Sequence, residues 1–292
     1  MKNLILLTAA VAMLAFAATL PAQEAVEEVE EIEVVQDVSQ DETGWESDNW
    51  ATIERGINVM TPRTIRKNSL LFLVEHRTRK QFDQNSFHDL AGFDAGGLKV
   101  GLGLRYAPAD NLELGFYRLN GQSERFDTYE FDLKYRMLRQ DVHGIDLAAR
   151  AGLSWFAQDM IDDASGFIGQ LLAGGKLNKH LRIGTGLLLH TESSSELKNS
   201  AEKEYSVAVP FQLEVRFNGR FVWEFEAVTP VAGFTAPHPV ISTGLKILTW
   251  RHTFTLVVSN SQYMSADGIV AGSHRALDDA VVGFCITREF GL

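Results

Sequence analysis

From residue 69 to the end of the chain, apolar and polar side chains alternate with a period of two. Between Leu98 and Tyr106, for example, the apolar side chains occupy the even positions, and Lys99 and Arg105 are among the odd ones. This period places one set of side chains on each face of a β-strand. It predicts twelve strands, at residues 69–77, 97–106, 112–119, 128–138, 145–156, 166–177, 181–191, 205–217, 221–231, 239–249, 253–261 and 279–290.

The connections between these strands alternate between long and short. The odd-numbered ones are long (78–96, 120–127, 157–165, 192–204, 232–238 and 262–278), and the even-numbered ones are short (107–111, 139–144, 178–180, 218–220 and 250–252). Most strands are near the length that a tilted strand needs to cross a bilayer. Together these features predict an all-β fold: a single antiparallel up-and-down transmembrane β-barrel of about 12 strands, with short periplasmic turns and longer outer loops. A soluble β-sandwich also alternates, but it gives no reason for long and short connections to follow each other so regularly.

The first 68 residues differ from the barrel region, 69–292. Residues 1–22 have a basic start, an apolar middle and small residues near the end, which is typical of a secretory signal peptide. Cleavage is expected after Ala22. The alternative is an N-terminal membrane anchor, although the apolar run is short for a span. The signal peptide therefore predicts export of the protein. Together with the barrel pattern, it predicts a location in the bacterial outer membrane.

Residues 23–50 form an acidic segment that accounts for the net charge of the chain. They contain eleven Asp and Glu and no Lys or Arg, so that the segment carries −11, Lys2 carries +1, and residues 51–292 are left with −1. A solvated, disordered segment is the favoured interpretation, and a periplasmic partner that binds it is the alternative. The nearly neutral remainder gives no sign of a nucleic-acid-binding surface.

Residues 51–68 connect the acidic segment to the first strand and contain a small basic cluster, Arg63, Arg66 and Lys67. They are predicted to be either a plug that folds into the barrel lumen or a solvated lead-in. The residues alone leave these alternatives open.

Aromatic residues lie near the predicted strand ends, as an aromatic girdle at each membrane interface requires. At the outer end we expect Phe116, Tyr117, Tyr129, Trp155, Phe167 and Tyr205. The girdle residues taken as strongest are Tyr106, Tyr129, Tyr135, Trp155, Phe217, Trp223, Trp250 and Phe290.

The polar faces of the strands are predicted to line the lumen, where charges are tolerable when they are paired. A lumen charge network is expected from Lys99, Arg105, Glu113, Asp132, Lys134, Arg136, Asp146, Arg150, Arg216, Glu224 and Glu226. Because both signs occur, a salt-bridge network is favoured over an ion-selective ring.

Complementary charges also suggest the strand registers. Arg136 opposite Asp146, with Asp132 opposite Arg150, would align strands four and five, and Arg105 opposite Glu113 would align strands two and three. Around 218–220, Phe217 is expected opposite Phe221.

The sequence carries few signs of catalytic or cofactor chemistry. The sequence contains no complete phosphate-binding or metalloprotease motif, and neither a cofactor nor a metal is predicted. An outer-membrane lipid hydrolase is the enzymatic alternative, with His190 near Ser193, Ser194 and Ser195, or His274 beside Ser273, as candidates. The chain is nevertheless predicted not to be an enzyme.

Several short segments resemble an uncharacterised bacterial β-barrel family, a domain of unknown function. They are Thr61-Pro-Arg63, Leu70 to Arg77, Gly92-Phe-Asp94, Gly101 to Tyr106, Leu112 to Gly115 and Lys134-Tyr-Arg-Met-Leu-Arg-Gln140. The resemblance implies a barrel of the cell envelope and no activity.

The last strand also looks like a signal for the barrel-assembly machinery, with Val282, Phe284, Ile286 and Phe290 in phase. The expected partners are therefore this machinery and outer-membrane lipid, besides the partner of the acidic segment. Two functions are carried forward: a passive or gated conduit for small solutes or lipids, and a closed scaffolding barrel whose acidic segment binds a periplasmic partner.

Overall fold

A computed structural model describes residues 54–79, 81, 97–121, 127–157, 164–192, 205–249 and 251–291. The expectations for the signal peptide at 1–22 and the acidic segment at 23–50 lie outside these residues, as do those for Trp250 and for Ser193, Ser194 and Ser195. They stay predictions.

Twelve antiparallel strands close into a barrel in which each strand pairs with its neighbours in sequence and β1 pairs with β12. The predicted fold class is therefore confirmed. The strands are β1 Ser69–Thr78, β2 Leu98–Ala109, β3 Leu112–Leu119, β4 Asp127–Leu138, β5 Asp146–Ala157, β6 Ala164–Lys176, β7 Leu181–His190, β8 Ser206–Arg216, β9 Phe221–Gly233, β10 Val240–Thr249, β11 His252–Ser259 and β12 Val281–Gly291.

The period of two explains why the sheet closes with a polar interior. In β4, Phe131, Leu133 and Tyr135 are exposed on the outer face, whereas Asp132 and Lys134 are buried on the inner one. An apolar outer surface suits lipid, and closure leaves no unpaired strand edge in the hydrocarbon. No helix among the described residues is long and apolar enough to cross a membrane.

The two ends of the barrel differ as the alternation of loop lengths predicts. Short turns connect each even-numbered strand to the next strand, as between β2 and β3 or β4 and β5. The β4–β5 turn contains a single helical turn, α1 Gln140–His143, which is followed by Gly144 in the left-handed conformation. The long connection from β11 to β12 contains α2 Ala266–Ala271 and a 3-10 helix, Leu277–Asp279. Strand β1 begins and β12 ends at the short-turn end, which is the periplasmic end of such barrels.

Two of the predicted registers are wrong by two residues. Asp132 lies opposite Gly152 rather than Arg150, and Arg105 lies opposite Gly115 rather than Glu113. The ion pairs form on the diagonal instead, because the opposite glycine leaves room: a Cβ on Gly115 would lie 2.4 Å from the Arg105 guanidinium. Phe217 and Phe221 flank their turn as predicted, since Phe217 N–H donates to the Phe221 carbonyl at 3.0 Å.

Tyr117 is the exception among the predicted interface aromatics, and its assignment to the outer girdle is wrong. It is buried inside the barrel, where its hydroxyl donates to Glu75 at 2.8 Å. Phe116 and Tyr117 are adjacent in one strand, so only one of them can face lipid. Phe116 does so, packing 5.1 Å from Phe131 between ring centroids.

The other described girdle candidates lie on the outer face of the strands. Tyr129 and Trp155 pack against each other near the outer end, with ring centroids 5.3 Å apart. Trp223 donates its indole N–H to Thr243 at 2.8 Å. Tyr106, Tyr135, Phe217 and Phe290 lie towards the short-turn end.

Candidate functional site

Residues 54–65, here called the lumenal insert, fold as a hairpin inside the barrel. Gly56 N–H donates to the Val59 carbonyl at 2.9 Å, and Thr61 N–H donates to the Glu54 carbonyl at 2.8 Å. The insert contacts inward-facing side chains of β1, β4, β8, β9 and β10 at once, which places it within the lumen. Between Glu54 and Met60, every side chain is buried.

The tip of the insert is held through its backbone by two side chains of the wall. Glu226 accepts the N–H groups of Asn58 and Val59, each at 3.1 Å. Gln212 donates its amide N–H to the Val59 carbonyl at 2.9 Å. A buried hairpin tip has backbone groups with no strand to pair with, and these wall side chains supply the missing partners.

Lys134 and Glu113 hold the base of the insert in the same way. The Lys134 ammonium donates to the carbonyl oxygens of Glu54, Thr61 and Arg63, the last at 2.5 Å. Glu113 accepts the Ile65 N–H at 2.5 Å and pairs with Lys134 at 3.0 Å. Both arms of the hairpin therefore accept hydrogen bonds from the same side chain, Lys134.

Side chains of the insert add further contacts to the wall. Arg55 forms an ion pair with Glu75 at 3.2 Å. Asn58 donates to Ser242 at 2.8 Å and accepts from Arg77 at 3.3 Å. The insert is thus bound by charge-assisted bonds, which are stronger than neutral ones.

Five of the predicted lumen charges, Arg105, Glu113, Asp132, Lys134 and Arg150, form one connected network. Arg105 pairs with Glu113 at 2.9 Å and with Asp132 at 2.8 Å. Arg150 pairs with Asp132 at 2.7 Å and with Glu130 at 3.0 Å. A separate group lies nearer the short turns, where Asp146 accepts from both Arg136 and Arg182.

The remaining predicted charges lie in other surroundings. Glu224 pairs with Lys246, and Glu226 binds the insert. The Lys99 ammonium lies 4.4 Å from the centroid of the Tyr263 ring. Arg216 lies at the turn after β8, where its Nε donates to the Asn218 carbonyl at 3.0 Å.

Glu54, at the base of the insert, is fully buried among charges of both signs. Burial raises the pKa of its carboxyl, and the neighbouring Arg105 guanidinium, 3.7 Å away, and the Lys134 ammonium oppose that rise. Its Oε2 atom has no hydrogen-bond partner among the described residues.

A second segment enters the lumen from the long-loop end. Residues 260–280, here called the outer insert, contain α2, and Tyr263, Met264, Ile269 and Val270 are buried. The Ala266 N–H donates to Glu130 at 2.6 Å. The Met264 carbonyl accepts from Arg55 at 3.2 Å, so the two inserts touch.

The contact between the inserts is completed by an apolar cluster. Val59 and Met60 of the lumenal insert pack with Ile269 and Val270 of the outer insert and with inward-facing apolar residues of five strands: Leu172, Leu188, Ala208, Val228 and Val240. Beside this cluster, a small cavity is lined by Arg55, Arg150 and Gln170, among others. Each of these three side chains has a buried polar atom without a hydrogen-bond partner among the described residues, so the cavity is suited to water.

The hydrolase candidates are placed differently from what the sequence suggested. His190 faces the lumen, where its Nε2 lies 2.9 Å from Ser154 Oγ, and its Nδ1 accepts the Glu192 N–H at 3.2 Å. That bond puts the imidazole proton on Nε2, which then donates to Ser154. A general base needs the opposite arrangement. Ser273 is buried and donates to the Asn260 carbonyl at 2.6 Å.

The residues that hold the inserts, above all Asn58, Gln212 and Tyr263, were not predicted from the sequence. A short apolar run, Gly268-Ile-Val-Ala271, within an outer loop was the available signal, because a solvated loop has no need of it. For the lumenal insert, the equivalent signal was the mixed run from Ile57 to Thr61.

The closed barrel, with an apolar outer face and a polar interior, defines an outer-membrane β-barrel protein of bacteria. The chain belongs to the family described as "Membrane bound beta barrel domain (DUF5777)", whose model matches residues 53–290. The resemblance drawn from the sequence is confirmed. A search of curated proteins found no match.

Several solved structures are similar to this chain. The COG4313 outer membrane channel from Pseudomonas putida F1 is 12% identical, with a TM-score of 0.49, and the match covers 78% of this chain and 97% of the channel. The NanC porin is 9% identical, with a TM-score of 0.45, covering 76% and 100%. Outer membrane phospholipase A from Escherichia coli is 14% identical, with a TM-score of 0.41, covering 75% and 92%. Likeness at this level concerns the fold alone.

Proposed function

We propose that this protein is a gated conduit for small solutes across the outer membrane, and that the lumenal insert closes it at rest. The observation that carries the proposal is how the interior is filled. A separate segment, joined to the barrel through β1, occupies the centre of the lumen and is held there by side chains of the wall. The plug interpretation of residues 51–68 is part of this proposal.

The insert can leave without breaking a strand pairing of the barrel. Residues 66–68 connect it to β1 and are exposed, and Asn68 has a positive φ of 57°. Its polar contacts with the wall are hydrogen bonds and ion pairs that water can replace, and its apolar contacts with the wall include those of Val59, Met60 and Ile65. A change in position of the insert therefore leaves the twelve-strand ladder intact.

The wall that the departing insert would uncover has a polar part that carries both charges, beside the apolar wall residues that pack on Val59 and Met60. Glu113 and Glu226 would face the opening, as would Lys134, Gln212 and Ser242. A pore lined by both signs has no strong preference for cations or anions. We therefore expect small neutral or zwitterionic solutes to pass, and weak ion selectivity.

The outer insert is the second barrier on this path. Its α2 packs on β7, β8 and β9, and its apolar side chains touch the tip of the lumenal insert. Removal of the lumenal insert takes Val59 and Met60 out of that cluster. The outer insert then loses part of its support, which couples the two barriers.

Single-channel recording in planar bilayers tests the proposal. The signal-free protein should conduct rarely, and a variant in which residues 54–65 are replaced by a glycine–serine linker should open in frequent steps. Heat-dependent migration on gels controls for folding of both proteins. If both proteins fold but neither conducts, the proposal of a conduit is wrong.

A closed scaffolding barrel is the second candidate function. The apolar cluster between the inserts favours it, because a dry contact across the lumen adds stability and keeps water out. In that case the acidic segment would bind a periplasmic partner. Silence of both proteins in the bilayer experiment would support this alternative.

A further inference from the structure

The outer face of the strands carries very few charges. Among the described strand residues that point outward, three are acidic or basic: Arg118, Asp127 and Arg288. Arg118 and Asp127 form an ion pair at 2.5 Å near the long-loop end. Arg288, near the short-turn end, has no carboxylate partner among the described residues. The neighbouring Glu289 points towards the lumen, where it lies 3.9 Å from Arg66.

Arg288 lies at the depth where lipid headgroups meet the hydrocarbon. It is three residues from Gly291, the end of β12, which is about 10 Å along the strand at roughly 3.3 Å per residue. The depth is smaller than this length because the strands of a barrel are tilted. Phe290, the next outward-facing residue of β12 towards the short-turn end, belongs to the aromatic girdle that marks the interface.

Uncharged groups hold the guanidinium of Arg288 in place. His252 lies directly opposite on β11, and its Nε2 accepts a hydrogen bond from Arg288 Nη1 at 2.8 Å, since arginine can only donate. The guanidinium carbon lies 4.9 Å from the centroid of the Phe290 ring. A guanidinium has five N–H donors, and the imidazole occupies one of them. Because the side chain is exposed, an acceptor outside the barrel can reach the others.

An apolar surface adjoins this cation on the side of the membrane centre. Phe72 lies opposite Arg288 on β1, and Phe254 lies opposite Ile286, the next outward-facing residue of β12 towards the middle of the membrane. Phe72 and Phe254 are 39% and 41% exposed. A charge near the headgroups with an apolar surface below it is complementary to an amphipathic anion.

We infer that Arg288 binds the phosphate of an anionic phospholipid in the leaflet at the short-turn end, and that the acyl chains lie on the apolar surface beside it. A charge without a counter-charge is costly at the edge of the hydrocarbon. A phosphate supplies that counter-charge and accepts two N–H bonds from one planar guanidinium. A phosphatidylcholine headgroup brings its own cation, so phosphatidylglycerol neutralises the site better. The inference is independent of the proposed conduit.

Native mass spectrometry of the signal-free protein tests the site, because it counts the lipids that stay bound to a barrel released from micelles. The protein is refolded in detergent, since β12 is also the predicted signal for the assembly machinery. Phosphatidylglycerol and phosphatidylcholine with the same acyl chains are added in equal amounts. We expect one phosphatidylglycerol to be retained in preference to phosphatidylcholine. Equal retention of the two lipids would overturn the inference of an anionic ligand.

Matched arginine variants assign the binding to one side chain. Arg288→Gln should lower the retention of phosphatidylglycerol about five- to tenfold, because it removes both the charge and the hydrogen bonds. Arg220→Gln should leave retention unchanged, since Arg220 is exposed in the β8–β9 turn at the same end of the barrel. Arg288→Lys keeps the charge without the planar donors and should bind with intermediate strength. An equal loss in the Arg288→Gln and Arg220→Gln proteins, both folded by heat-dependent gel migration, would contradict the site.

Competition with phosphate in solution distinguishes a lipid from a free anion. Inorganic phosphate and glycerophosphoglycerol, the headgroup without its acyl chains, are added in large excess to the complex with phosphatidylglycerol. If the lipid stays bound, the acyl chains contribute to binding, as the apolar surface beside Arg288 predicts. If either compound displaces it, the lipid assignment is wrong and the site is one for phosphate in solution. Unchanged lipid retention in Arg288→Gln would mean that this arginine only extends to water at the interface, which would also overturn the inference.

Discussion

Glu226 of the barrel wall accepts the backbone N–H of Val59 at 3.1 Å, across 167 positions of sequence. Gln212 lies beside this bond, donating to Glu226 at 3.3 Å and to the Val59 carbonyl at 2.9 Å. The wall therefore binds both the donor and the acceptor of one peptide segment. The barrel interior is therefore complementary to the backbone of an inserted segment. Without that segment, these buried polar side chains of the wall would lose hydrogen-bond partners.

Removing the Glu226 carboxylate should release the tip of the lumenal insert. We expect Glu226→Ala to weaken its insertion by about 1.5–3 kcal/mol, roughly ten- to hundredfold, because the bonds lost are charge-assisted. The open probability in planar bilayers should rise accordingly. Asp141→Ala, which removes an exposed carboxylate in the β4–β5 turn, is the matched control. An unchanged open probability in a folded Glu226→Ala protein would show that this contact does not hold the insert.

The contact between the two inserts predicts energetic coupling. Met60→Ala and Ile269→Ala each remove buried apolar volume and should destabilise the closed state by about 2–4 kcal/mol. Since both side chains belong to one cluster, the double variant should cost less than the two single effects together. A double-mutant cycle on open probability measures the difference. Strict additivity would mean that the inserts move independently.

The strands could be predicted from the sequence because their period is imposed by the surroundings. Each residue between Leu98 and Tyr106 faces either lipid or the lumen, so each position carries information. The register could not be predicted from charge alone, because arginine is long enough to reach a diagonal partner. Gly152 and Gly115, opposite Asp132 and Arg105, decide the register through the space that they leave.

The inserts were harder to predict because neither has a period. Asn58 and Val59 are held through backbone groups, which every residue type possesses. Their wall partners, Gln212 and Glu226, look like any other inward-facing polar residues. Only the fold brings these four residues together. The sequence of residues 51–68 is therefore equally compatible with a lumen plug and with a solvated lead-in.

Protonation of Glu54 should favour the closed state. Its pKa is raised in the lumen by burial, so the inserted form binds the proton more tightly than a form in which Glu54 is in water. As the pH falls through the raised pKa towards the ordinary value of 4.5, insertion becomes more stable, and above the raised pKa this contribution is absent. The open probability should therefore fall on acidification. Glu54→Gln should remove this dependence, and a pH response that survives the substitution would assign it to another group.

A charge on the outer face of the barrel tests its position in the membrane. Leu133 lies in the middle of β4 and is 43% exposed, so we expect it at mid-bilayer depth. Leu133→Arg should lower the free energy of unfolding in lipid vesicles by about 2–4 kcal/mol, the cost of arginine at the midplane. The matched control is Val142→Arg, in the periplasmic α1 and 70% exposed, which should change stability by less than about 0.5 kcal/mol. Equal effects at the two positions would contradict a lipid-facing β4, because a water-facing strand tolerates arginine as well as a turn does.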